Sequence, residues 1–326
     1  MRLSKKALSA LGLSMFLATG TAQAAGFPDK PVTIVVPYSP GGGSDNASRA
    51  TAKHLSELWG QPVIVENLPG ADGLIGTRRV MKAAPDGYTL LVSIPAIAIF
   101  KHTNKDLDVD PLSQLTPVSM LASGPTAMVV KGKSEIQAID DLKKVCAPAS
   151  AKCTWASGEP FTLLAGSGLV SSLGLFDRMA NVRYNGTSAA VSDVIGGHVT
   201  LLVTGISSVV PHHRSGALKI LAVSTAERIP EIPDVPTYAE AGMGAVEFTN
   251  NWYGIFAPTG TPDDVKQAIS KGVQSAARDP AVKKVLGPLL ITPVGTTTEE
   301  FERRLRRDQE TVERLASKLP ARRSRS

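Results

Sequence analysis

Apolar positions fall into two recurring patterns, short β-branched runs and stretches with helical spacing, and glycine- or proline-rich turns separate them. Residues 32–36 (VTIVV) read as a buried strand. Over 45–58, Ala47, Thr51, Leu55 and Leu58 recur on one helical face; Ser44 or Asp45 is placed to cap this helix and Gly60 to end it. A second strand over 63–65 leads through the turn Asn67-Leu68-Pro69-Gly70-Ala71-Asp72-Gly73 into a helix reaching about residue 84, and a third strand spans 88–94. The order βαβαβ predicts a parallel sheet with helices on both faces and a ligand beyond the carboxyl ends of the strands, where both glycine-rich turns fall.

Polar residues and prolines break the pattern over 100–117, which reads as a loop. Two short strands, 117–122 and 126–131, flank Gly124-Pro125, the expected first crossing into a second domain. The same strand–turn–helix grammar then repeats: helix 136–145, strand 153–156, turn Ser157-Gly158-Glu159-Pro160, helix 161–179, strand 182–184, turn Asn185-Gly186-Thr187, helix 188–195, strand 199–203, a short helix near 207–214 and strand 218–224. An aromatic strand over 252–256 is the expected return crossing. Helices over 262–278 and 280–286 follow, then one that opens at the capping box Thr297-x-x-Glu300 with Phe301, Leu305, Val312 and Leu315 on one face. The domains expected are 25–124 joined with 250–326, and 125–249.

The bend Pro37-Tyr38-Ser39-Pro40-Gly41-Gly42-Gly43-Ser44-Asp45 joins the first strand to the first helix. Consecutive glycines bare backbone N–H groups, and a helix N-terminus adds unpaired donors with partial positive charge, so this stretch suits a carboxylate or phosphate. It is neither a Walker A loop, since Ser44-Asp45-Asn46 stands where Lys and Ser/Thr are needed, nor a dinucleotide fingerprint, since a spaced third glycine is missing.

Composition narrows the class. The chain has 326 residues, 43% hydrophobic and 20% charged, as for a soluble globular protein of two domains. Its net charge of +6 is concentrated at the ends, in Arg2, Lys5 and Lys6 and in Lys318, Arg322, Arg323 and Arg325 of a tail expected to be disordered; the near-neutral body gives no case for nucleic acid. A basic start, an apolar run over 7–18 and Ala22-Gln23-Ala24 form a secretory signal peptide pattern over 1–24, which implies a soluble exported protein. In an oxidising compartment the pair Cys146 and Cys153 favours a short-loop disulfide over two free thiols. No G-x-S-x-G or H-E-x-x-H occurs, His54, His102, His198, His212 and His213 show no ligand spacing, and no cofactor or metal is expected. Trp155, Phe161 and Trp252 read as core.

Several motifs taken in order resemble one family. They are the signal peptide, Val35-Val36-Pro37-Tyr38-Ser39-Pro40-Gly41-Gly42-Gly43-Ser44-Asp45, Val65-Glu66-Asn67-Leu68-Pro69-Gly70-Ala71-Asp72-Gly73, Ala84-Pro85-Asp86-Gly87-Tyr88-Thr89-Leu90, Asp193-Val194-Ile195-Gly196-Gly197-His198-Val199, Ile232-Pro233-Asp234-Val235-Pro236-Thr237 and Trp252-Tyr253-Gly254-Ile255-Phe256-Ala257-Pro258. Over about 27–315 the chain resembles the Bug family of periplasmic solute-binding proteins, the receptors of tripartite tricarboxylate transporters. The resemblance implies an α/β, type II-like, two-lobed binding protein, each lobe a mostly parallel sheet flanked by helices, with no enzyme activity. It implies a monomer that holds a small organic acid or amino acid between hinged lobes and docks transiently on a membrane permease; a receptor feeding a signalling system, or an exported hydrolase, is the alternative. Carried over, ligand binding falls to Tyr38, Gly41, Gly42, Gly43, Ser44, Asp45, Gly70, Gly73 and Ser93 of the first lobe. In the second it falls to Ser157, Gly158, Glu159, Tyr184, Asn185, Gly186 and Thr204, with Gly205 nearby.

Two departures bear on the ligand. Many relatives carry a longer polar turn where this chain has Ser157-Gly158-Glu159-Pro160-Phe161, and polar residues where it has Pro95-Ala96-Ile97-Ala98-Ile99. A carboxylate in that turn disfavours a second anionic group and welcomes an ammonium, so the expected solute has one carboxylate with an amino group or an apolar body.

Overall fold

The computed structural model describes residues 26–103, 108–184, 186–244 and 250–316. The expected signal peptide, the basic tail over 318–326 and Asn185 lie outside the described residues.

Among the described residues ten strands form one curled sheet: β1 (Val32–Val36), β2 (Val63–Asn67), β3 (Thr89–Ser93), β4 (Leu115–Lys131), β5 (Thr154–Ser157), β6 (Ala180–Arg183), β7 (Leu201–Gly205), β8 (Leu218–Val223), β9 (Asn250–Pro258) and β10 (Thr292–Pro293), in the order β2-β1-β3-β9-β4-β7-β5-β6 with β8 and β10 also on β4. Helices α1 (Gly43–Trp59), α2 (Leu74–Met81), α3 (Phe100–Thr103), α4 (Pro111–Gln114), α5 (Ile139–Cys146), α6 (Pro160–Ser172), α7 (Thr187–Gly196), α8 (Val210–Arg214), α9 (Asp263–Arg278), α10 (Pro280–Leu286) and α11 (Thr298–Ala316) flank it.

The outer strands pair in parallel, β1 with β2 and β3, and β5 with β6 and β7, as right-handed βαβ units require. The centre is antiparallel. β4 runs through all 17 of its residues and does not break at Gly124-Pro125, as the two-strand expectation had it. Up to Pro125 it pairs with β9; from Thr126 it pairs with β7 and β8. Pro125 has no N–H to give a ladder, and it stands where the partners change, so the strand continues at little cost.

Other boundaries also move. The expected helix over 161–179 ends at Ser172, because Gly174 turns left-handed (φ 71°) and Leu175 N–H closes back on Val170 O. The expected loop over 100–117 contains α3 and α4, the latter capped by Asp110 with Pro111 behind it. The first helix begins at Gly43, with Gly42 and not Ser44 or Asp45 as its N-cap residue, and Gly60 ends it in the left-handed region.

The largest apolar cluster packs β1, β3 and β9 against α1, α9 and α11. Trp252, Phe256 and Phe301 meet edge-on within it at 5.1 and 5.2 Å from Phe301, and Trp252 Nε1–H donates to Asp308 Oδ2 at 2.6 Å. Two further clusters cover the faces of the β5–β8 region, one around Met128, Trp155 and Leu221 and one around Val129, Ala156 and Val223. Cys146 and Cys153 are bridged, tying the end of α5 to the start of β5. Among the described residues no helix is long and apolar enough to cross a membrane.

Candidate functional site

The bend after β1 is held by one carboxylate. Asp45 Oδ2 accepts the N–H of Gly41 at 2.9 Å, while Oδ1 accepts from Asn67 Nδ2 and from Arg49 Nε, each at 3.0 Å. Asn67 Nδ2 also donates to Tyr38 O at 3.1 Å. Burial pushes the Asp45 carboxyl up, but these bonds outweigh it and hold its pKa below the usual range. Gly41 has φ 84°, which the bend needs and a side chain would strain. Asp45 and Gly41 are thus spent on shaping the bend. The N–H groups of Gly42, Gly43 and Ser44 find no acceptor among the described residues, and Gly43 and Ser44 are buried. Buried unpaired donors at the start of a 17-residue helix make a seat for an anion.

Polar groups without partners gather around that seat. A Cβ at Gly43 would lie 1.9 Å from Tyr253 Oη and 2.8 Å from Ser207 Oγ, so β9 and the turn after β7 both reach the first turn of α1. Tyr38 Oη, Ser207 Oγ and Asn251 Oδ1 are buried without a hydrogen-bond partner. Burial raises the Tyr253 phenol to about 12 and lifts that of Tyr38 well above its ordinary value, so both are neutral donors.

Beside the seat lies a cavity of about 20 Å³ between the two halves of the chain. Tyr38, Ser39, Gly70, Asp72 and Gly73 line it from one side, Gly158, Glu159 and Gly186 from the other. That is room for about one water. Arg183 bridges them, its Nη2 3.0 Å from Asp72 Oδ2. Glu159 sits at the N-cap position of α6, makes no cap bond, and has its carboxyl raised to about 7 by burial and then by the charge of Asp72.

The remaining predicted residues support this geometry in different ways. Gly158 packs so closely on the next turn that a Cβ would meet Gly186 C and Thr187 N at 2.9 Å, and Gly186 N–H donates to Gly158 O. Ser157 Oγ accepts from Asn181 at 3.3 Å, and Thr204 Oγ1 lies 3.3 Å from Thr187 Oγ1. Tyr184 donates to Asp193 at 2.5 Å and is committed there. Ser93 is fully buried and does not line the cavity. Gly70 (φ 129°) and Gly73 (φ 99°) turn the second loop under the Tyr38 ring, which a Cβ on Gly73 would meet at 3.2 Å.

Tyr253, Asn251, Ser207, Ser39, Asp72 and Arg183 were not nominated from sequence. Strand alternation was the available signal for two of them: with Trp252 in the core, Asn251 and Tyr253 face the other way. A second constellation also escaped notice. His54 Nδ1 lies 2.6 Å from Asp279 Oδ2 and His54 Nε2 3.0 Å from Ser275 Oγ. The order is that of a hydrolase triad, but Ser275 stands inside α9 where amides are spent on the helix, and Asp279 also caps α10 through Ala281 N–H. Among the described residues no donors converge on an oxyanion position, and the three residues staple α1 to α9 and α10.

The sequence profile described as the tripartite tricarboxylate transporter family receptor matches residues 47–319. The chain belongs to that family. It is 34% identical over 282 residues to a UPF0065 protein of Bordetella bronchiseptica, covering 84% of this chain and 81% of the relative. To protein BugT of Bordetella pertussis it is 32% identical over 286 residues, covering 84% of each. The periplasmic binding protein BugD superposes with a TM-score of 0.82 at 28% identity, over 90% of this chain and 98% of BugD. Rhodopseudomonas palustris MatC with bound malate gives 0.79 at 26% identity, over 89% of this chain and all (100%) of MatC. A second R. palustris protein, with adipate, gives 0.83 at 26%, over 89% and 98%. The receptor therefore has the two-lobed α/β fold of periplasmic binding proteins, and neither its family nor these neighbours are described as enzymes.

Proposed function

We propose that this receptor is exported by its leader and captures a small carboxylate-bearing solute in the periplasm, between residues 25–124 with 250–326 and residues 125–249. It then presents the closed form to the membrane permease of a tripartite transporter. The observation that carries this reading is the pair of buried N–H groups of Gly43 and Ser44, with that of the half-buried Gly42 beside them, which find no acceptor among the described residues, and with Tyr38 Oη, Ser207 Oγ and Asn251 Oδ1 unpartnered around them. Buried donors without acceptors cost free energy in the empty protein, and a carboxylate removes that cost. Charge-assisted bonds of roughly 1.5–3 kcal/mol each, less ordering costs, reach the approximately −8 kcal/mol of a micromolar receptor. The neighbours that hold malate and adipate support a carboxylate as the ligand class.

The halves must separate to admit the solute and close to exclude water, which strengthens every bond to the carboxylate. Isothermal titration of the mature protein with organic acids and their amides tests the reading. Acids are expected to bind and amides not, with Gly43→Ala abolishing the response while the thermal melt stays cooperative. Amide binding equal to that of the acids, or binding indifferent to Gly43→Ala, overturns it.

A further inference from the structure

The second half of the site carries a charge that an anion receptor has no use for. Glu159 lines the cavity, and among the described residues the one charge acting on it is Asp72, of the same sign. Asp72 is matched by Arg183 at 3.0 Å, which leaves no cation for Glu159 among the described residues. Its side chain does not cap α6, so it is not consumed by the helix either. A carboxylate away from bulk water needs a partner, and none of the described residues supplies one.

We propose that Glu159 is the cation-accepting pole of the cleft, so that the solute is a zwitterion with one carboxylate at the amides of Gly42, Gly43 and Ser44 and an ammonium at Glu159. The inference rests on the carboxylate reading above and narrows it. The cavity holds Asp72 and Glu159, and with Arg183 paired to Asp72 from outside its lining the three carry a net single negative charge that one ammonium cancels. A dicarboxylate would instead bring a second negative end against two acids already present. Tyr38, whose buried phenol stays neutral, stands next to the same carboxylates and lines the cavity, and it completes the polar wall around the ammonium.

The groups facing Glu159 are Asp72, Arg183 behind it, Tyr38 and Tyr253. Burial keeps both phenols protonated, so Glu159, raised to about 7, is the group that changes charge near neutrality. An arriving ammonium favours its ionised form and releases protons; a second carboxylate favours the protonated form and takes protons up.

Isothermal titration of the mature full-length protein, in buffers of differing ionisation enthalpy between about pH 6 and 8, separates the two. The probes are α- and ω-amino acids, alkanoates and α,ω-dicarboxylates of matched length. An amino acid is expected to bind about tenfold or more tighter than its matched alkanoate and dicarboxylate at about pH 8, with proton release that grows as the pH falls to about 7 and below. Glu159→Gln should erase the preference for amino acids over matched alkanoates and the proton release, in a protein whose thermal melt stays cooperative. Tightest binding by a dicarboxylate with proton uptake, or equal affinity for amino acids and alkanoates, overturns the zwitterion proposal and leaves the carboxylate receptor standing. Absence of binding by every carboxylate in the panel removes both.

Discussion

The bend between β1 and α1 and the turn between β5 and α6 are equivalent places, each a strand end running into a helix N-terminus, and each carries an acid. In the first, Asp45 turns inward and is bonded by Gly41 N–H, Asn67 and Arg49. In the second, Glu159 turns outward to the cavity and makes no cap bond. The same chemical group is shifted in opposite directions, below the usual carboxylate range for Asp45 and up to about 7 for Glu159. The residue type therefore does not set what a helix N-terminus binds. On the reading proposed above, an inward carboxylate shapes the backbone and leaves the next amides free for an anion, and an outward one reverses the sign of the site.

The most severe way to break this contrast is to fill the first bend. Gly43→Ala puts a methyl group 1.9 Å from Tyr253 Oη, so Tyr253 or the bend must move off the free amides. Carboxylate affinity should fall about a hundredfold or more, read by titration, since two or more charge-assisted bonds are lost. Next in size is Asp45→Ala, which strips the bend of its internal acceptor. Removing a mostly buried carboxylate with three donors should cost about 2–3 kcal/mol in urea denaturation. The pH dependence has a defined sign. The folded pKa of Asp45 is depressed, so its contribution is complete above the unfolded value and lost as pH falls through the lower folded one. Asp45→Asn should flatten the acid limb of stability against pH.

How much of this contrast was legible follows from which interactions are local. The β1–bend–α1 unit was readable because a β-branched run, three glycines and a helical face lie in one short stretch. Glu159 was readable as a carboxylate in a small-residue turn. The role of Asp45 was not, since a capping bond and a bond back to Gly41 use the same residue type at nearly the same offset. Only the distant Asn67 and the following Arg49 show which one forms. The continuity of β4 through Gly124-Pro125 depends on β9, over a hundred residues later, and local turn chemistry argued against it. Arg183 with Asp72, and His54 with Asp279, pair across separations that no periodicity encodes.

Two smaller perturbations sharpen the comparison from the second side. The disulfide Cys146–Cys153 anchors the start of β5, the strand that delivers Ser157, Gly158 and Glu159, and closes a loop seven residues apart in sequence. Opening so short a loop should cost about 2 kcal/mol of stability. Under reductant the melt should shift down, and hydrogen exchange should rise around β5 while β1 and α1 keep their protection.

The smallest effect expected is at the latch. Arg183 and Asp72 keep side-chain exposures of 40% and 24%, so their pairing is screened and worth about 0.5–1 kcal/mol. Asp72 lines the cavity from one half of the chain and Arg183 reaches it from the other, so on the proposed reading the pair contributes only when the halves are closed. Arg183→Ala should therefore weaken binding about two- to fivefold, mainly through faster release, with the melt of the empty protein little changed. It also strips Asp72 of its partner. The bare negative charge then acts fully on Glu159 and pushes its carboxyl further above 7, moving the midpoint of any pH-dependent binding upward. An unmoved midpoint would mean that Asp72 does not act on Glu159 electrostatically, and the outward acid would owe its raised pKa to burial alone.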